Sequence, residues 1–594
     1  MSIASEITRI QNEVSSQANI INEIVLFLDD EVNYKQKYYD LIYKTAQEIN
    51  DPNLTEIGDY AYAGSLFLNS INAPNIKRIG KNAFYQDYTL SQVNIENVES
   101  IAEYAFTETA LIHLYIPKAI QIDKYAFSSI ESLIDVEASN IYNIAEYAFA
   151  YCPNLVSFKG APRTIGQYGF YYAGQLKDID LSKCTTLGQY AFSNNGLIEV
   201  NAPSLKSGNL AFFSSSKICS AQLPALTGLP QSGFMSCYNL FDLGTINVTS
   251  TSSTPIRYCR GLKNLYLPKT TSVSTSTYVF ADCYNLETVM LGDISSLPNY
   301  AFSNCYNLQN LYLPRTSSIT TISNTNVFTN CSRLTNIYVP ESLLNTYKSA
   351  SYWSSYSSKF KALTETIGEV QNKRIDTTKE NAFISVSIPL LGYTTPPSVS
   401  ISTGSAYLQY KNLKIDARSI TFDMYSSSMN VSEYTQVAMI IEGANTTQLL
   451  DFDVFLNNGT EETSSYTVRN IGTYGFELEE DGETWASNNE GVDSSYALCE
   501  LSITNPGGKY VVISASSYGE TSCDYGVFSK PDVPLTESIA DTTYYCDMRR
   551  ISSSSFYQIP YGILPSGTTI YIKYRKDGSV NSNTDNLRFR VEFY

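Results

Sequence analysis

Apolar positions fall into three successive patterns along the chain. In the first, Ile3, Ile7, Ile10, Val14, Ile21, Ile24 and Leu28 recur at alternating spacings of three and four, with Gln17 breaking the seam. That spacing predicts an α-helical coiled coil of about four heptads, and β-branched residues at both seam positions favour three strands. These residues are the expected interface of a parallel homotrimer; the alternative is an amphipathic helix packed on its own chain. A second helical pattern runs from Val32 to Asn50, with Tyr38, Leu41, Ile42, Ala46 and Ile49 apolar. It stops at the Asp51-Pro52 break and is expected to cap the repeats on its C-terminal side.

The second pattern repeats with a period of about 22 residues. An aromatic recurs at Tyr62, Phe84, Phe106, Phe127, Phe149, Phe170, Phe192, Phe212 and Phe234, then at Phe280, Phe302 and Phe328, mostly preceded by Ala or Gly. Between aromatics lies a short strand pattern, fullest as NLQNLYLP from Asn307 to Pro314. So short a coil cannot bury its own apolar side, and Phe302, Leu308, Leu311 and Leu313 are expected to stack on their equivalents in adjacent rungs of a solenoid of short parallel strands. Cys152, Cys237, Cys283, Cys305 and Cys331 sit three residues after the aromatic, and Cys259 has the same phase, as expected of an inward slot too small for Leu. The array is expected to end in an amphipathic helix over 342–363 that seals the last rung.

From about Glu365 the period disappears. Short alternating runs such as Phe383 to Ile388, Val437 to Ile441, Tyr510 to Ile513 and Ile570 to Tyr574 are separated by Gly, Pro, Ser and Asn, the pattern of β-sandwiches. The predicted division is 1–50 for the N-terminal helices, 51–363 for the solenoid, 366–462 for an immunoglobulin-like sandwich and 463–594 for a terminal one. Near the end, Asp577, Asn581 and Asp585 lack the spacing of a calcium loop, and a hairpin is expected there.

Charge removes some function classes. A net charge of −18 opposes attraction to nucleic acid or anionic lipid. No apolar run is long enough to cross a bilayer; Ile20 to Leu28 is broken by Asn22 and Glu23. The opening MSIASEITRIQNEVSS has no basic, apolar and small-residue succession of a secretory signal, so synthesis in a reducing cytoplasm is expected, with the cysteines as buried free thiols.

Little chemistry is visible. His113 is the only histidine and lies inside the strand pattern LIHLYIP, a poor setting for a catalytic base, and no C-x-x-C pair or phosphate-cradling Gly run occurs. No catalytic residue, metal or cofactor is expected. A polysaccharide depolymerase stays formally open, because two carboxylates across a cleft suffice for glycoside hydrolysis. Binding is a better use of the repeats. Alignment on the strand core leaves one outward residue per rung: Asn72, Asn94, Tyr115, Glu137, Lys159, Asp180, Asn201, Gln222, Tyr266, Met290, Tyr312 and Tyr338. Tyr115, Tyr266, Met290, Tyr312 and Tyr338 are the candidate binding residues, against the alternative that the column is ordinary cross-strand packing.

The repeat I-x-x-x-A-F-x-x-C-x-x-L-x-x-L-x-L-P resembles the BspA-type leucine-rich repeats of bacterial surface proteins and gut-associated phages, and IYVPESLLNTYKSASYWSSY resembles the closing segment of that family. The opening MSIASEITRIQNEV is similar to the helical start of tailed-phage structural proteins, and YALCELSI, DYGVF and IKYRKDGSVNSNTDNLRF to β-sandwich modules of gut-phage virions. The resemblance implies a virion component, such as a tail, baseplate or head fibre, joined to other virion proteins through its N-terminal helix and attaching to a bacterial surface glycan or protein. A secreted BspA-like adhesin is the alternative.

Overall fold

The computed structural model describes residues 47–594 apart from 210, 460–463, 473, 489–495, 507, 519–524, 530, 536–543, 548–552 and 576–585. The expected trimer seam from Ile3 to Leu28 therefore lies outside the described residues. The chain divides into an N-terminal unit, up to Asp180 with Leu187–Gly196, and a C-terminal unit, Leu181–Thr186 with Leu197–Tyr594.

In the N-terminal unit each rung contributes two short strands. One series begins Glu48–Asn50, Ser70–Asn72 and Gln92–Asn94 as a parallel sheet, followed by a parallel sheet of His113–Tyr115, Asp135–Glu137, Ser157–Lys159 and Asp178–Ile179. The second series pairs Ile57, Ile79, Ile101, Ile122, Ile144 and Ile165 in parallel register, all of them buried. Glu48–Asn50 corrects the helix expected to reach Asn50. Ile49 is buried between exposed neighbours and pairs with Ile71, so this stretch alternates like a strand and forms one edge of the sheet.

Between the strands each rung makes a bend centred on the recurrent aromatic. The residues two before and two after it take positive φ, as Tyr104 and Glu108 do around Phe106 and Tyr147 and Tyr151 around Phe149. Such a conformation costs a non-glycine residue about 1 kcal/mol or more. It is offset by ordering between rungs: the N–H of Phe106 donates to Ala126 O at 2.7 Å, Phe127 to Ala148 O at 2.8 Å and Phe149 to Gly169 O at 2.9 Å. Inside, Tyr62, Phe84, Phe106, Phe127, Phe149, Phe170 and Phe192 stack with centroids 4.9 to 5.4 Å apart.

The C-terminal unit starts with the same rung. Its strands Glu199–Asn201, Ser220–Gln222 and Asp242–Gly244 form one parallel sheet; Asn264–Leu267, Thr288–Leu291, Asn310–Tyr312, Asn336–Val339 and Phe360–Ala362 form another. The closing segment is not one amphipathic helix. It is a short α-helix, Leu344–Ser349, then a 3-10 stretch, Trp353–Lys359, then the strand Phe360–Ala362, which pairs with Ile337–Val339. Extended Ala350 and left-handed Tyr352 break the helix, which lets Trp353 turn inward. There its Nε1 donates to Thr320 O at 2.7 Å, and Tyr347 Oη accepts from Thr320 N at 2.7 Å, so both polar edges are satisfied where no water reaches.

Two all-β domains complete the chain. In the first, Thr366–Ile367, Phe383–Leu391, Ser419–Ser426 and Leu408–Ile415 form one sheet, and Lys373–Asp376, Thr447–Asn457, Glu433–Glu442 and Ser398–Thr403 the other. Val386, Ile388 and Phe422 from one share a core with Val437, Met439 and Val454 from the other. The terminal domain is built from two five-stranded sheets around Leu501, Ile513, Ile559, Ile572 and Phe589. Thr569–Arg575 and Asn586–Phe593 lie in different sheets, which replaces the expected hairpin by a crossing between layers.

Candidate functional site

In the N-terminal unit the outward column faces solvent. Asn94 Nδ2 donates to Asn72 Oδ1 and Asn72 Nδ2 to Asn50 Oδ1, each at 2.9 Å, an amide ladder that ties adjacent rungs. Tyr115 is 49% exposed and Glu137 is its register partner, with Lys159 next in the series. On the same strands His113 Nδ1 lies 2.6 Å from Asp135 Oδ2. Asp135 pairs with Ser157 on its other side, so the carboxylate separates the imidazole from that hydroxyl and the row is no nucleophilic triad.

A second set of surface tyrosines escaped the strand-based reading. Tyr104, Tyr125, Tyr147, Tyr168 and Tyr190 stack at 4.6, 4.6, 4.5 and 5.0 Å along the bends. Their signal was the recurrence of EYAF, KYAF, EYAF, QYGF and QYAF, in which the tyrosine precedes the core aromatic by two. Lys81 pairs with Glu103 and Lys124 with Glu146, both at 2.8 Å. Burial in the stack, reinforced by its neighbours Tyr168 and Tyr125, pushes the Tyr147 hydroxyl up to about 12. It therefore stays a neutral donor at physiological pH, while stacking leaves mainly ring edges to a partner.

The C-terminal unit treats the column differently. Asn201 Nδ2 donates to Phe383 O at 2.7 Å. Tyr266 Oη accepts from Glu369 N at 3.0 Å, and burial, reinforced by the Glu369 charge, drives its pKa far above the usual phenol range. Met290, in register between Tyr266 and Tyr312, is 2% exposed. Met290 is thus inside the protein, a correction to its outward, partner-facing placement, while Tyr266 is half-buried with its hydroxyl taken by the Glu369 backbone. The reason is that the first all-β domain supplies charges that match the solenoid strands, a fact no rung-by-rung alignment contains. Tyr312 and Tyr338 remain partly exposed and stack at 4.4 Å.

The seat is polar. Lys373 forms a buried ion pair with Asp242, which also accepts from Gln222 Nε2 at 2.8 Å. Lys263 Nζ reaches Glu369 at 3.0 Å and Lys269 Nζ reaches Asp416 at 2.6 Å. Burial alone would raise the Glu369 carboxyl, but the Lys263 charge and bonds from Lys263, Asn264 and Gln371 outweigh it and hold the group below the usual carboxylate range. Tyr510 is fully buried and bonds to Glu199. Between these groups a cavity of about 20 Å³, lined by Gln222, Asp242, Asn264, Tyr266, Glu369 and Lys373, has room for about one water and no substrate.

The cysteines are packing groups with a polar duty. Cys152, Cys237, Cys259, Cys283, Cys305 and Cys331 each donate from Sγ to a carbonyl of the preceding rung at 3.0 to 3.3 Å. Burial raises the Cys152 and Cys331 thiols to about 12, far from the thiolate that nucleophilic or metal chemistry needs. Among the described residues no cluster of three His, Cys, Asp or Glu side chains is placed to hold a metal.

Profiles of the BspA type leucine-rich repeat region match residues 55–162, 163–287 and 249–380, together more than half of the chain. The chain belongs to the BspA-type leucine-rich-repeat family. Three solved structures show local likeness to it: a leucine-rich repeat protein from Bacteroides ovatus (18% identity, 53% of this chain and 92% of that one, TM-score 0.36), the pneumococcal vaccine antigen PcpA (14%, 54% and 90%, 0.31) and a leucine-rich repeat protein from Eubacterium ventriosum (18%, 51% and 74%, 0.23). No curated protein sequence matches. In this BspA-type chain, then, the repeats supply an ordered surface, exposed on the N-terminal unit and partly occupied by the chain's own β domains in the C-terminal unit.

Proposed function

We propose that this BspA-type protein is an attachment scaffold without enzymatic activity, holding a bacterial surface glycan or protein on the strand face of its N-terminal unit. The observation that carries the reading is Tyr115, half exposed on a rigid parallel sheet with His113, Asp135 and Glu137 in register around it. A flat ring with fixed donors and acceptors beside it binds at small entropic cost. In its finer form the proposal is a trimeric virion part, a tail, baseplate or head fibre, with Ile3, Ile7, Ile10, Val14, Ile21, Ile24 and Leu28 as the trimer seam. The phage-like opening and C-terminal segments support that form. A BspA-like cell-surface adhesin is the second reading, and the repeats support it equally.

The test is binding of the full chain to a panel of bacterial capsular and wall polysaccharides and to whole cells. Saturable binding that falls about tenfold in Tyr115→Ala, with no sugar fragments released, is the expected result; a tenfold loss corresponds to about 1.4 kcal/mol. Fragment release would replace the scaffold by a depolymerase, and unchanged binding in Tyr115→Ala would remove the strand face. Finding the chain by mass spectrometry in purified phage particles, and a solution mass three times 66.1 kDa, separates the virion trimer from the adhesin.

A further inference from the structure

The position three residues after the core aromatic is a slot for a hydrogen-bond donor. In the rungs that carry Cys152, Cys237 and Cys305, the thiol donates to the carbonyl of the aromatic one rung back, Phe127, Phe212 and Phe280. Thr109 and Asn195 fill the slot with donors to Phe106 O and Phe192 O, and Ile130 and Ala173 fill it with apolar groups. Asp87, three residues after Phe84, is the exception. Its side chain is 0% exposed, and Oδ2 is buried with no hydrogen-bond partner.

Register identifies the partner that is missing. Phe212 O accepts both Ser215 N, at 3.0 Å, and Cys237 Sγ, at 3.1 Å. Tyr62 O accepts Ser65 N at 3.0 Å, and Asp87 stands to Tyr62 as Cys237 stands to Phe212. A carboxylate has no proton to give that carbonyl; a carboxylic acid has one. The other oxygen is weakly served: Oδ1 takes Thr89 N at 3.4 Å and shares the single Thr89 hydroxyl proton with Leu68 O. Among the described residues no cation is paired with it. Glu108, the acidic group of the adjoining turn, is bonded to Gln86 and Tyr88 at the surface, and Lys81 is paired with Glu103.

We propose that Asp87 is a protonation-controlled latch: as the neutral acid it completes the donor slot and locks the rungs from Tyr62 to Glu108, and on ionisation it loosens them. Mild acidity thereby tightens the part of the N-terminal unit that displays Asn72 and Asn94. Desolvation places the change in a useful range, raising the carboxyl from 3.8 to about 7 against the opposing bonds from Thr89 and Leu90. The folded form prefers the proton, so stability is fully present below the ordinary carboxyl value, declines as pH rises from there to about 7, and is flat above 7, where folded and open forms are both ionised.

Hydrogen exchange on the full chain between pH 5.5 and 8.5, corrected for intrinsic rates, tests this. Opening of amides in 62–108 is expected to rise up to about tenfold per pH unit between 5.5 and 7 and to level off above 7, with amides in 130–180 unchanged, since one proton is coupled to opening only below the folded value. Asp87→Cys, which restores the thiol of the other rungs, abolishes the slope; Asp87→Ser is the second variant. A flat wild-type profile, or the same slope in either variant, would overturn the latch.

Discussion

One column of strand positions meets two fates in this chain. In the N-terminal unit Asn72, Tyr115, Glu137 and Lys159 face water, and the polar groups there pair along the sheet, as His113 does with Asp135. In the C-terminal unit Asn201 and Tyr266 bond to β structure of the same unit and Gln222 and Met290 are buried, with the Asp242–Lys373 and Lys263–Glu369 pairs beside Gln222 and Tyr266. Periodicity sets which way a residue points from its rung. What stands in front of it is decided by charges placed more than a hundred residues away.

The comparison breaks first at its capped end. Trp353 fills the space beyond Phe328 at a centroid distance of 5.9 Å and is fully buried. Trp353→Ala leaves a large cavity and an unbonded Thr320 carbonyl, for an expected loss of about 3 to 5 kcal/mol confined to the C-terminal unit. Thermal melting with domain-resolved hydrogen exchange checks it; equal loosening of both units would show that the cap does not act locally.

Next comes the seat. Lys373→Ala strands the partly buried Asp242 carboxylate and is expected to cost about 3 kcal/mol. Replacing the pair together, with Lys373→Met and Asp242→Leu, should recover most of it, because neither charge is then left unpaired. If the double variant is as unstable as the single one, the ion pair is not what holds the β domain on the strands. The readout is the denaturant midpoint of the C-terminal unit.

These charges mark the limit of what the sequence disclosed. The solenoid was legible because Phe302, Leu308, Leu311 and Leu313 repeat a local rule: each must meet its own equivalent in the neighbouring rung. Alternation in Glu433–Glu442 reported β structure for the same reason, one face toward a core, while Phe383–Leu391 alternates in sequence but is largely buried on both faces. The occupation of the Tyr266 hydroxyl was not legible because its partner, the segment at Glu369, obeys no period. The end of the Val32 to Asn50 pattern was misread because a lone buried Ile49 between polar residues fits a strand as well as a helix turn. Asp87 was overlooked because its meaning depends on the slot that the cysteines define.

A smaller effect sharpens the N-terminal side. Tyr147 stacks between Tyr125 and Tyr168 while its backbone sits at φ 56°. Tyr147→Ala forfeits both stacks but keeps the left-handed cost, for an expected loss of about 2 kcal/mol. Tyr147→Gly loses the same stacks and removes that cost, so it should be the more stable of the two by about 1 kcal/mol. The reverse order in melting temperature would mean that the bend is not strained and that the tyrosines serve some other end than compensation.

The smallest effect contrasts the two units by acidity. Burial pushes the Glu369 and Asp416 carboxyls up, but Lys263 for the first, and Lys269 with Arg418 N–H for the second, hold both below their ordinary values. Their contribution is therefore present above pH 4.5 and lost as pH falls through the lowered values, the opposite sign to Asp87. Each side chain is half exposed, so each pair adds only about 0.5 kcal/mol. Moving from pH 7.5 to 5.5 should then slow exchange in rungs 62–108 and leave the seat unchanged, whereas moving below 4.5 should loosen the seat alone. Parallel responses in both units across either interval would mean that a charge common to the whole chain, and not these three carboxyls in their separate surroundings, governs its behaviour in acid.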